Sequence, residues 1–454
     1  MTIRIIQSDS PLADPRVLAI RDCLRGGGLV GGGDAPLDVP AIVRKILADI
    51  ASRGDDALVE YEARLDKANL TPQTLRVPAG DIRRAHAQAE PAFLELVRRV
   101  AGNIRQYQRS ILLADAPMLN RGRRQLGVRY TPVDRAAVYV PGGRALYPST
   151  VLMTVVPAQV AGVKEIAMAS PPTSNGDIDP MVLALAGELG IEEVYRLGGA
   201  VAIGALACGT QTIRPVCKIV GPGNAFVAEA KRQVLGRVGI DSIAGPSEVL
   251  IIADDSARAD WLAADMLAQA EHDPGSAILV TPSAALATAV SAELERQLPA
   301  LSRADATGAC LAAYSAIIVT AGLDAACEVA NEFATEHLQI QTRDDDATLA
   351  KVRNAGAIFV GSCTPVPLGD YYAGPSHVLP TGGTARFFGP LSCNDFLKAS
   401  SIIRYDAASC VADAADVIDF ATREGLTAHA NAMRVRLGGQ GITNGANKAK
   451  DTNR

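Results

Sequence analysis

From Arg135 the chain repeats one unit, an apolar strand that runs into glycine and then into a helix. RAAVYVPGG leads to YPSTVLMTVVPAQVAG, and VKEIAMAS leads to PMVLALAGELG. EEVYRLGG then leads to AVAIGALACG, and CKIVGPGN to AFVAEAKRQVLGRVG. Short apolar strands alternating with helices leave little choice but a parallel sheet, because a parallel connection needs a crossover long enough to hold a helix. The strands read as continuous Val, Ile and Ala runs, as strands covered on both faces do. The predicted fold is therefore α/β and doubly wound. Its ligands are expected beyond the carboxyl ends of the strands. The glycine turns at 142–143, 198–199 and 221–224 offer backbone N–H groups to a phosphate or pyrophosphate at helix N-termini.

A second set begins at IDSIAGPSEVLIIADD, residues 240–255, with the strands VLIIAD, SAILVTP, AYSAIIVTA, HLQIQT and GAIFVGS. Before these units, Val39 to Arg109 carries a helical pattern, and residues 1–40 are poorly patterned. GGGLVGGG at 26–33 contains G-x-G-x-x-G, but no strand precedes it and no helix follows, so it is not read as a dinucleotide fingerprint. The expected division is an N-terminal arm, 1–38, and a first α/β domain, 39–138 plus 254–390. A second Rossmann-like domain is expected over 139–253, and the C-terminal segment is 391–454. The tail GGQGITNGANKAKDTNR is expected to be loose.

Composition limits the partners. Lys plus Arg is 44 and Asp plus Glu is 49, and no basic run stands out, so nucleic acid is not an expected partner. The most apolar long run, Thr150 to Val163, is interrupted by Pro157 and Gln159, so no membrane span is expected. The N-terminus lacks the apolar core of a signal peptide. Eight scattered cysteines form no C-x-x-C and are read as reduced, mostly buried thiols of a cytoplasmic protein.

The polar residues are more specific. In ARADWLAADMLAQAEHDP, Leu262, Met266 and Gln269 continue one helical stripe, and His272 follows on the same face. An amide and an imidazole thus replace leucine at an inward helix end. A metal is one partner for both; a local hydrogen bond is the simpler alternative. Four of the five histidines fall in short polar motifs: His272 in AQAEHD, His337 in ATEHLQI, His377 in LGDYYAGPSHVLPT and His429 in EGLTAHANAM. Gln, Asp and two His make an N/O set suited to zinc, with Glu271 or Glu424 available behind a ligating His. Spacing alone does not show that these segments converge. Glu336 and His337 are adjacent at the start of a strand, with side chains expected to diverge. That suits His337 as a base and Glu336 as an activator of water, with a charged strand edge as the alternative. His86, on a charged segment, is read as solvent-facing.

Taken together, VRKILADIASRGDDAL, AVYVPGG, KIVGPGNAFVAEAKRQVLGRVGID, AGPSEVLIIAD, AQAEHDP, EHLQI, LGDYYAGPSHVLPTGGTARF and EGLTAHANAMRVR resemble the histidinol dehydrogenase family over nearly the whole chain. The resemblance implies an α/β enzyme of two Rossmann-like domains with a C-terminal dimerisation segment. It implies oxidation of L-histidinol to L-histidine through histidinaldehyde in two NAD-dependent steps, by homodimers with one zinc per active site. Gln269, His272, Asp370 and His429 match zinc ligands, with His429 supplied by the partner subunit. His337 matches the base and Glu336 the activator of water. Ser247, His377 and Glu424 match substrate positions, Glu424 again from the partner, and the zinc ligands and His337 also meet substrate. Tyr139 and Asn224 match NAD positions. Val201 stands where a glutamine is usual, Thr335 where proline is usual, and CTPVPLGDY lacks a common glutamate. The alternatives are a zinc and NAD alcohol dehydrogenase acting on another small polyol, such as a sulfonated diol, and a non-catalytic scaffold.

Overall fold

A computed structural model describes residues 3–25, 37–122, 124–142, 147–173, 175–272 and 274–438. The segment 26–33, Gly143 and the tail from 439 lie outside the described residues. The chain divides into two compact units, one of Met1–Leu112 with Pro132–Phe396, the other of Leu113–Thr131 with Leu397–Arg454.

The first unit holds two parallel sheets. One runs Glu193–Arg196, Glu165–Ser170, Arg135–Tyr139, Lys218–Val220, Gly239–Ile240. The other runs Arg4–Gln7, Ala316–Val319, Gly275–Thr281, Ser247–Ala253, His337–Gln341, Ala357–Val360. Every neighbouring pair in both sheets is parallel. In each, the first strand of the set lies between the second and the fourth, so the winding reverses beside it. That is the doubly wound order the repeating units predict. The larger sheet also takes Arg4–Gln7 at one edge. This strand is not legible in residues 1–40, because an edge strand buries little; only Ile6 of its four residues is buried.

Alternation along the strands explains the two cores. Val249, Ile251 and Ala253 pack under the helix Ala259–Ala270, while Leu250, Ile252 and Leu338 pack on the opposite face with Val17 and Ile20 of the helix Pro15–Arg25. Each fully buried side chain of this size contributes about 1.5–3 kcal/mol. The strand Ser247–Ala253 pairs only within the larger sheet. It therefore leaves the 139–253 division in which it was expected. The helices Val39–Arg53 and Asp55–Leu65 pack through Val43, Ile46, Leu58 and Tyr61 on the smaller sheet, so they do not group with 254–390 as expected.

The second unit is built on a three-stranded sheet ordered Leu397–Arg404, Arg124–Pro132, Leu119–Arg121, with the helices Ala407–Arg423 and Thr427–Leu437. The hairpin was not anticipated as part of the C-terminal segment, since its partner strand lies far away in sequence. No helix among the described residues is long and apolar enough to cross a membrane. The cysteines are free, but only Cys310, Cys327 and Cys393 are buried, fewer than expected.

Candidate functional site

The polar residues converge at the amino ends of two adjacent strands. Ser247 opens one strand, and Glu336 immediately precedes the other, which begins at His337. The helix Ala259–Ala270 returns antiparallel to this edge, so Gln269 arrives at its last turn. This is the point where the winding of the larger sheet reverses, but at the opposite ends of the strands from those expected.

One hydrogen-bonded chain links three of these residues. Gln269 Nε2 donates to Ser247 Oγ, and Ser247 Oγ donates to Glu336 Oε2 at 2.6 Å. The Glu248 backbone N–H donates to the same carboxylate oxygen at 3.0 Å. Because the serine proton goes to Glu336, its oxygen must accept from Gln269, and this fixes the amide orientation. Gln269 is 2% exposed, and its Oε1 is left buried without a hydrogen-bond partner.

His337 is 2% exposed. Its Nδ1 lies 3.2 Å from the Glu248 carbonyl, so Nδ1–H donates there and Nε2 is the free basic atom. Nε2 stands 3.4 Å from Asp370 Oδ1 and has no hydrogen-bond partner. Burial disfavours the imidazolium, but Glu336 and Asp370 outweigh it and push His337 up to about 9. Glu336 Oε2 approaches His337 Nδ1 to 3.5 Å, so the expected divergence of these two side chains does not occur. Glu336 precedes the strand and escapes its alternation, turning to the Ser247–Glu248 peptide. Burial pushes its carboxyl above the ordinary range.

Asp370 sits in a π-type turn, Gly369–Ala373, an irregularity frequent at functional positions. Burial opposes its ionisation, yet His337, His377 and His272 around it hold the carboxyl below its ordinary value. His377 Nδ1 lies 3.0 Å from the Asp370 carbonyl and its Nε2 3.4 Å from Thr150 Oγ1. Thr150 belongs to the helix Pro148–Ala161, which follows the strand Arg135–Tyr139. The amino edge of one sheet thus meets the carboxyl edge of the other. Burial pushes His377 down.

His272 is exposed one turn beyond Gln269, with Nδ1 3.2 Å from the Gln269 carbonyl. The local hydrogen bond exists, and it leaves Nε2 for another partner. The group behind His272, at Nδ1, is this carbonyl rather than Glu271. Glu424 and His429 belong to the second unit, where both are exposed, His429 on the helix Thr427–Leu437. Among the described residues no group of three His, Cys, Asp or Glu side chains stands ready to hold a metal. The expected set includes a glutamine, and its fourth member is expected from another subunit.

On the smaller sheet, the strands at the winding reversal end at Tyr139 and run into Gly221. Gly221 has φ +118°, and a Cβ there would collide with the Tyr139 carbonyl. The buried Lys231–Asp241 ion pair grips this turn: Lys231 Nζ donates to the Gly221 carbonyl at 2.6 Å, and Gly221 N–H donates to Asp241 Oδ2 at 2.7 Å. Asn224 caps the helix Ala225–Val234, accepting from Phe226 and Val227 N–H. Gly198 N–H donates to Glu62 and Gly199 N–H to the Tyr139 hydroxyl. Glu62 is pushed up to about 9 by burial and the neighbouring Asp66. These turns therefore spend on the protein itself many of the N–H groups expected for phosphate.

Sequence reasoning missed Glu248, Thr150 and Lys231–Asp241. A carboxylate inside the apolar strand SEVLIIA was the available signal for Glu248. His86 was read as solvent-facing but is paired with Glu188 at 2.8 Å. Of the departures, Val201 is buried in the helix Gly199–Cys208, and Thr335 Oγ1 donates to the His337 carbonyl at 2.9 Å.

Residues 34–437 match the family model described as histidinol dehydrogenase. A histidinol dehydrogenase of Rhodopirellula baltica is 51% identical over 395 residues, 87% of this chain and 86% of that protein. One from Geobacillus kaustophilus is 50% identical over 396 residues, 87% of this chain and 93% of that protein. The crystal structure of histidinol dehydrogenase from Elizabethkingia anophelis superposes with a TM-score of 0.87 at 32% identity, over 96% of this chain and 98% of that one. Sequence and fold agree over most of their length, and the chain belongs to the histidinol dehydrogenase family.

Proposed function

We propose that this chain oxidises L-histidinol to L-histidine through histidinaldehyde, in two NAD-linked steps assisted by zinc, as a cytoplasmic homodimer. Family membership makes it an NAD-dependent oxidoreductase. The observation that carries the finer reading is a pair of buried, unpartnered atoms, Gln269 Oε1 and His337 Nε2, the latter 3.4 Å from the Asp370 carboxylate. A buried acceptor without a donor costs about 1–3 kcal/mol, which a ligand recovers.

The donor set fits zinc. Gln269 Oε1 is left without a partner when Nε2 bonds Ser247, Asp370 is held ionised, and His272 keeps one ring nitrogen available. Gln269, His272 and Asp370 would hold the metal, with His429 of a second subunit as the fourth ligand. Bound there, zinc orients the substrate through its nitrogens, a templating role.

His337 takes the hydroxyl proton at Nε2 as the hydride leaves. Were Asp370 engaged as a ligand it would favour the imidazolium less and move His337 toward the neutral base the step needs, while Glu336 beside Nδ1 would still favour the charged form. Glu336 is held by Ser247 and the Glu248 N–H, in place to activate water on the aldehyde. His377 and Ser247 line the substrate position, and Glu424 closes it from the second subunit. Tyr139 and Asn224 mark the NAD side, at the carboxyl edge of the smaller sheet. The test is NADH formation with L-histidinol against small diols. Two NADH per histidinol, with no comparable turnover of diols, is expected; turnover of diols alone would reject the reading.

A further inference from the structure

The helix Ala259–Ala270 carries another polar residue on its inward side. Asp265 lies one turn before Gln269, on the same side of the helix. Its Oδ2 accepts from Gln339 Nε2 at 2.9 Å and from Gln341 Nε2 at 3.0 Å. The two glutamines are 1% and 2% exposed. By strand alternation they share with His337 the face opposite Leu338, which packs in the other core. Their Oε1 atoms are buried without hydrogen-bond partners. The residues beside the glutamines on the neighbouring strands are apolar: Ile251 and Phe359 flank Gln339, and Ala253 lies beside Gln341. Leucine at all three positions would leave no unsatisfied group, so stability does not account for the cluster.

Register does account for it. Apolar contact between a helix and a strand tolerates sliding and rotation, whereas one carboxylate oxygen gripping two amides at alternate strand positions does not. The helix carries Gln269 and leads to His272, and the strand begins with His337 directly after Glu336. We propose that Asp265, Gln339 and Gln341 form a positioning clamp that sets the helix of Gln269 and His272 against the strand of His337, holding metal ligands and base in register. The clamp rests on the zinc reading above.

The test measures zinc affinity of metal-stripped protein by competition with a chromophoric chelator, together with thermal unfolding and separate KM values. Asp265→Ala is expected to bind zinc roughly tenfold or more weakly, the range seen when groups behind metal ligands are removed. Its KM for histidinol rises while its KM for NAD does not. Asp265→Asn still offers one oxygen to both amides, and it restores zinc affinity to within about threefold of the parent, well short of the tenfold loss. Should Asp265→Ala fail to fold, the double variant Gln339→Leu with Gln341→Leu, close in volume, is expected to show the same loss. Unchanged zinc affinity in both Asp265→Ala and the double variant overturns the clamp. So does an Asp265→Asn as weak as Asp265→Ala, which would make the charge rather than the grip the active property. A parent protein that binds no zinc overturns the metal reading, and the clamp with it.

Discussion

The role proposed for His337 rests on one contact. With Nδ1–H committed to the Glu248 carbonyl, its Nε2 is the only ring atom able to accept a proton. His337→Ala removes that acceptor and no metal ligand. Zinc content and unfolding midpoint should stay near the parent while kcat falls by about 10²–10⁴; metal analysis beside steady-state kinetics checks this, and normal turnover would remove His337 from the mechanism. At this scale the sequence was legible where a residue type violated its pattern. Gln269 interrupted an apolar stripe, and Glu336–His337 stood at a strand start. The partners were not legible, because they are chosen by tertiary contact. The Ser247–Glu336 bond spans 89 residues, and no local rule pairs them. Glu248 was passed over since one carboxylate in a strand reads as an edge charge until its 1% exposure is known.

The strand–glycine–helix units were legible because burial on both faces leaves a continuous apolar signature. Their edges were not: Arg4–Gln7 and the hairpin strands Leu119–Arg121 and Arg124–Pro132 bury few side chains and leave little pattern. Nor did pattern alone reveal that the larger sheet presents its amino ends to the site, since the general rule for such sheets favours the carboxyl ends. The Gly221 turn is the element on which the proposed cofactor side depends. Gly221→Ala introduces a Cβ against the Tyr139 carbonyl at a left-handed φ. The expected outcome is destabilisation of about 1–3 kcal/mol and a raised KM for NAD with zinc content unchanged. Thermal unfolding and NAD titration read both, and an unaltered KM for NAD would separate this turn from the cofactor.

For the whole molecule, two sheets with the same winding order would divide the proposed work. The larger presents Ser247, Glu336 and His337, the smaller Tyr139 and Asn224. Glu424 and His429 belong to a separate unit of the chain, and their part in the reaction is the proposal that a second subunit supplies them. Mixing His272→Ala with His429→Ala subunits tests it. Random reassembly gives mixed dimers in which one of two sites is intact, returning roughly a quarter of parent activity if the dimer has two-fold symmetry. Verified mixed dimers without recovery would contradict sharing. The claim on which the rest depends is that zinc held by Gln269, His272 and Asp370 organises oxidation of histidinol. Its most direct test is metal analysis paired with the histidinol assay before chelation, after chelation and after zinc is restored. About one zinc per subunit, loss of NADH formation on its removal and recovery on its return are the predicted results; full activity in zinc-free protein would contradict the account.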